Sequence, residues 1–138
     1  MTKEQVERQL NSYSQIRLER RQLLNRIIVL ESRLTGSGTS GLDGMPHGSS
    51  SGDSLARGTV ALVTLRDLYK AKEVELAQAM LDIEQMIDSL DPIERLVARY
   101  RYIDGLRWKS ICVKINYSWR QTHRIHDGLL EKLAANQE

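Results

Sequence analysis

Phenylalanine is missing from this chain of 138 residues, and its aromatic side chains amount to two Trp and five Tyr. Five of the seven, Tyr100, Tyr102, Trp108, Tyr117 and Trp119, fall in the last forty positions. A compact core is therefore expected at the C-terminal end, while the upstream residues, rich in Leu, Ile, Val and Ala, must bury their surface along helices. Cysteine is nearly absent. The single thiol, Cys112, excludes an intramolecular disulfide and suits a reducing compartment. Long apolar runs are lacking as well: the helical patterns are amphipathic, which excludes a spanning helix, and no apolar stretch follows a basic start, so no secretory leader is expected. The expected location is the cytoplasm. There is no acidic cluster, no Ser/His/Asp constellation and no GxxxxGK[ST] loop, so neither enzymatic activity nor a cofactor is expected.

Net charge is only +2, but it is unevenly spread. Residues 1–34 hold seven Lys/Arg against four Asp/Glu, and residues 91–138 hold nine against six. Between them, residues 59–90 hold three against six. Such a balance argues against indiscriminate coating of nucleic acid, yet a basic C-terminal module remains suited to phosphate contact.

Residues 3–34 contain neither Gly nor Pro. Ile16, Leu23, Ile27, Leu30 and Leu34 follow a heptad spacing that Val6, Leu10 and Tyr13 continue upstream, with Arg17, Arg20, Arg21 and Arg26 flanking the stripe. Residues 35–53 hold six Gly, five Ser and one Pro. Each glycine costs about 1 kcal/mol in a helix interior, so this segment reads as a linker, or as a mobile binding loop around Met45, Pro46 and His47. Helical spacing returns over 54–90, with Ser54 a candidate N-cap. Its apolar stripe comprises Leu62, Leu65, Leu68, Tyr69, Leu76, Met80, Ile83, Ile87 and Leu90. Two helices of opposite charge joined by a long loop suggest an antiparallel hairpin over 1–90, and its thin core suggests association with further copies.

Residues 91–138 are more informative. Asp91-Pro92-Ile93-Glu94 opens a helix expected to reach about Asp104, with an N-cap, a proline at the first position and a capping-box glutamate. Gly105 supplies the left-handed terminator, and Leu106 folds back over the last turn. A short helix follows over Trp108–Ile115, with Trp108, Ile111, Cys112 and Ile115 inward. Asn116 suits the left-handed turn, and Ser118 with Gln121 forms an S-x-x-Q cap for a third helix over 118–135. Thr122, Ile125, Leu129 and Leu133 share one face of that helix, while Trp119, Arg120, Gln121, His123 and Arg124 share the other. Arg offers paired donors to guanine, and Gln offers a donor and an acceptor to adenine. Arg120, Gln121 and Arg124 are therefore the candidate base readers. Lys109, Lys114, Ser118 and Lys132 are candidate phosphate contacts, and Trp119 either stacks on a deoxyribose or caps the core. His123 and His126 have no further Cys or His nearby, so no metal centre is expected. The position of Gly128 inside a helix, where glycine costs stability, suggests close approach of a partner or of the DNA backbone.

The segment YRYIDGLRWKSICVKINYSWRQTHRIHDGLLEKL resembles the region-4 helix-turn-helix of sigma-70-type factors. Gly105-Leu106, Ile111, Tyr117-Ser118, Ile125 and Leu130-x-x-Leu133 match its order. The whole layout, with Gly44–Gly48 as a GMPHG-type loop, is similar to small phage proteins of Gram-positive bacteria of the late-transcription or autolysin-regulator type. The chain departs from the sigma pattern at Lys109-Ser110, where acidic residues are common, and at Asn116, where glycine is usual. It also lacks a promoter-melting region. The resemblance implies an all-α fold, with a coiled-coil-like hairpin for oligomerisation and a DNA-binding tail. It further implies a sequence-specific regulator of transcription in the cytoplasm of a bacterial host. Expected partners are double-stranded DNA and a homodimer or higher homo-oligomer, with RNA polymerase a further candidate. Two alternatives stay open: a small terminase-like DNA-packaging protein, and a module that binds polymerase instead of DNA.

Overall fold

The computed structural model describes residues 1–36 and 51–136, and every regular element among them is helical. Helix α1 spans Lys3–Leu34, α2 Ser51–Ile87 and α3 Pro92–Ala98, which runs directly into a π turn over Arg99–Ile103; α4 spans Trp108–Ile115 and α5 Trp119–Asn136. One boundary differs from expectation. Helix α2 starts at Ser51, ahead of Ser54, so the glycine-rich segment gives way to helix earlier than its composition suggests. Asp53 in the first turn favours this start by facing the positive helix end. The positions Met45, Pro46 and His47, and the Gly44–Gly48 motif, lie outside the described residues.

The chain divides into two compact units, one of Met1–Arg17 with Leu76–Glu138 and one of Leu18–Glu75. In the first, Val6 and Leu10 of α1 are fully buried with Ile83 and Ile87 of α2, Val97, Tyr102, Ile111 and Leu129. Burying one such aliphatic side chain is worth about 1.5–3 kcal/mol. The inward stripe of α2 runs through Leu76, Ala79, Ile83 and Met86–Ile87. Met80, expected in that stripe, is 38% exposed, and the small Ala79 takes the inward position.

Local chemistry sets each helix end of this unit. Asp91 and Glu94 form the reciprocal capping box of α3, with the Asp91 N–H donating to Glu94 Oε1 at 3.0 Å. The expected helix to Asp104 is present in another form: its last turn is a π turn, closed by the Asp104 N–H on Arg99 O at 2.9 Å. Gly105 then adopts φ +68°, and the Leu106 N–H donates to Tyr100 O at 2.9 Å. Arg17 of α1 completes the terminus. Its Nη1 donates to Ile103 O at 2.7 Å, and a Cβ on residue 105 would lie 2.5 Å from its Nη2. Glycine is favoured here by its backbone angle, and the flexible end of Arg17 occupies the space beside it. Asn116 carries φ +58° at the C-terminus of α4, as its side chain permits.

In the second unit α1 and α2 run antiparallel, since Glu31 pairs with Arg66 while Glu19 meets Lys72 at 2.5 Å. Gly58 faces Leu34, where a Cβ would come within 2.6 Å of Leu34 Cδ2. Ile27 is buried, and Leu23, Leu62, Leu65 and Tyr69 are half-buried. Leu68, expected inward, is 49% exposed.

Two outcomes follow. At Gly128 an added Cβ would approach nothing nearer than Glu94 Oε2 at 4.0 Å, so Gly128→Ala should stabilise the fold by about 1 kcal/mol through helix propensity alone. A raised urea midpoint would report it. Arg17→Met should cost about 1–3 kcal/mol, because the Ile103 carbonyl loses a charged donor in a partly buried site.

Candidate nucleic-acid interface

The segment from Arg107 to Arg124 carries most of the candidate residues. The outward face of α4 presents Lys109, Ser110, Val113 and Lys114, all exposed. Ile111 is its fully buried anchor, while Trp108, Cys112 and Ile115 are half-buried. Tyr117, Ser118, Trp119, Arg120, Gln121 and Arg124 are exposed at the start of α5. Arg120 and Arg124, four positions apart, sit one above the other, with Gln121 beside them.

A ladder of rings fixes this end of α5. Tyr102 is buried and pairs with His126 Nε2 at 2.5 Å. Burial pushes the Tyr102 phenol up, so it stays protonated in this hydrogen bond with the histidine nitrogen. Trp108 meets His126 edge-on at 4.6 Å between centroids and His123 at 4.8 Å. His123 in turn stacks on Trp119 at 4.3 Å with 24° between planes. Arg101 lies over the Trp108 ring at 4.9 Å and donates to Leu106 O, closing the approach to α4. Of the expected site residues, His123 is thus the middle rung, half-buried between two tryptophans, and Trp119 is the outer rung, still 57% exposed.

Two candidates are engaged locally. The Gln121 N–H donates to Ser118 Oγ at 3.1 Å, and the Ser118 N–H donates to Gln121 Oε1 at 3.0 Å. The capping box occupies the Gln121 carbonyl oxygen and leaves its amide NH2 as the outward-facing chemistry. Lys132 is engaged within the fold as well. The sequence suggests a phosphate contact, but its ammonium lies 2.8 Å from Glu94 Oε1 and 3.2 Å from Asp91 Oδ2, tying α5 to the start of α3.

Most other basic residues of this unit are engaged within it, Arg17, Arg95 and Arg101 by donating to backbone carbonyls. Lys3 pairs with Glu131, Arg99 with Glu84, and Lys132 with two carboxylates. By contrast, Arg107, Lys109, Lys114, Arg120 and Arg124 have no carboxylate partner among the described residues; Lys114 lies over the Tyr100 ring at 5.7 Å. Arg107, just before the middle helix, is exposed beside these residues, although the sequence does not single it out. Val113, 77% exposed, and Tyr117 are exposed there too, and the sequence gives no sign of it, because an apolar outward residue carries no charge signal. In the sequence His126 stands out only as one of a histidine pair, yet it is a buried residue.

Compared with protein-family models, with curated proteins and with solved structures, the chain matches none.

Burial holds His126 down at about 4, with His123 and Arg101 adding to the effect and Asp127 opposing it. The unfolded chain protonates this imidazole near 6.5, so unfolding takes up a proton between those values. Stability should be full above pH 6.5 and decline by on the order of 3 kcal/mol as pH falls to 4. Denaturant titrations at stepped pH check this, and His126→Gln, which keeps an acceptor for Tyr102, should flatten the decline between pH 6.5 and 5.

Proposed function

We propose that this protein is a sequence-specific double-stranded DNA-binding regulator of transcription that reads the major groove with the N-terminal turns of α5. One observation carries the reading. Five cations on and beside α4 and the start of α5 share one exposed face without carboxylate partners among the described residues, while Lys3, Arg99 and Lys132 of the same unit pair with carboxylates and Arg17, Arg95 and Arg101 donate to backbone carbonyls. Unpaired cations along a face are what phosphates neutralise. Between them stand exposed Arg and Gln side chains able to donate to base edges. The spacing of the short helix, the left-handed Asn116 turn and the Ser118-capped helix agrees with a helix-turn-helix of the sigma region-4 kind.

In this reading Arg120, Arg124 and the free amide NH2 of Gln121 read bases. Arg107, Lys109 and Lys114 hold phosphates. Trp119, backed by His123, presents a flat apolar surface to a sugar or a thymine methyl. Because one such module covers a short site, a second copy supplies much of the usable affinity.

The test begins with selection of bound fragments from a random duplex pool at moderate salt. Failure to retain any duplex at low salt overturns the reading, and retention of RNA polymerase in its place would favour the protein-binding alternative. On the selected site, Arg120→Ala and Arg124→Ala should each cost about 1–3 kcal/mol and relax preference at one position. Lys114→Ala should weaken all sequences alike and reduce the salt slope by about 1. Gln121→Glu retains the capping box but replaces the outward amide by an acceptor; it should keep the thermal midpoint while lowering specific binding.

A further inference from the structure

Helix α2 carries a second stripe that its partner α1 does not cover. Val60, Val63, Asp67, Lys70 and Val74 follow alternating steps of three and four, and all five are exposed, the valines by 68%, 52% and 72%. They stand two positions, about 200°, around the helix from Leu62, Leu65, Tyr69 and Lys72, the half-buried stripe. Alternating three and four is the spacing of a coiled-coil seam.

The two charges in the middle of the stripe say what covers it. Neither Asp67 nor Lys70 has a hydrogen bond or ion pair among the described residues. Around them Arg66 pairs with Glu31, Lys72 with Glu19 and Glu75, and Arg57 with Asp53. The stripe is also its own complement. If a second α2 is laid antiparallel across it, with the two-fold axis between positions 68 and 69, Asp67 falls opposite Lys70 of the other copy, twice. Val63 falls opposite Val74 of the other copy, also twice. A parallel, in-register pairing would set Asp67 on Asp67 and Lys70 on Lys70, which like-charge repulsion disfavours. Charged residues at seam positions cost stability but specify register and orientation.

We infer that α2 binds α2 of a second copy of this chain, antiparallel, through Val60, Val63, Asp67, Lys70 and Val74. This deepens the proposed function, whose second copy it supplies; its test uses no DNA, so either can fail alone.

The full chain is followed by light scattering across a concentration series. The unaltered protein should dimerise. Asp67→Lys places like charges opposite each other at both crossings and should raise the dimer dissociation constant by about tenfold or more. Lys70→Asp should do the same, and the double exchange Asp67→Lys with Lys70→Asp should return it to near the starting value. All these positions are exposed, so the fold is not at stake. For orientation, in a Cys112→Ser background, Val63→Cys should cross-link to Val74→Cys in a mixture of the two variants. A protein that stays monomeric, whether or not another protein occupies the face, overturns the inference. So does a dimer indifferent to Asp67→Lys, a double exchange as weak as the single ones, or preferential cross-linking of Val63→Cys to itself.

Discussion

Three short helices and a π turn make too small a body to exclude water unaided, and the answer in this chain is to borrow. Val6 and Leu10 of α1, with Ile83 and Ile87 of α2, enter the same core as Val97, Tyr102, Ile111 and Leu129. Arg17 then satisfies a carbonyl at the end of the π turn that no backbone amide reaches. The rest of this unit depends on that closure. Without it the Tyr102–His126 pair would lie near water, and the ring ladder from Tyr102 out to Trp119 would lose its fixed inner end.

The polar side chains of this unit fall into two populations. One is spent on holding the fold: the Asp91–Glu94–Lys132 cluster, Arg99 with Glu84, Lys3 with Glu131, and Ser118 with Gln121. Most of these are exposed pairs of modest individual worth, but they fix which cations remain unpaired. The other population, Arg107, Lys109, Lys114, Arg120 and Arg124, is backed by Ile111, Thr122 and the stacked rings and has no carboxylate partner among the described residues. A rigid backing with an unsatisfied front is the arrangement that favours binding, since little ordering cost is left to meet.

Much of this was legible in the sequence where the signal was local. The Asp91 and Ser118 caps, Gly105 and Asn116 each depend on a few neighbouring residues, and each stands where its chemistry places it. The helical periods were legible too, to within the drift that separates Met80 from Ala79. What escaped notice depends on contacts distant in sequence. Nothing near Arg17 says that it caps a turn 86 positions away. Nothing near Lys132 announces Asp91 and Glu94, and a lone histidine gives no sign that a buried tyrosine waits for it. The π turn was also illegible, because its residues suit an α-helix equally well.

That π turn has a bearing on how the chain can vary. It takes up one residue more than an ordinary helical turn, so everything after it is set about 100° further around. The aim of α4 and α5 thus depends on the count of residues between Ala98 and Gly105 as well as on their kind. A variant sequence one residue shorter there would keep the same kinds of side chain yet turn Tyr102 away from His126 and carry the basic face elsewhere. Across descendants of this chain, exchanges of the side chains in that stretch other than Tyr102 and Ile103 are tolerable where a change in its length is not.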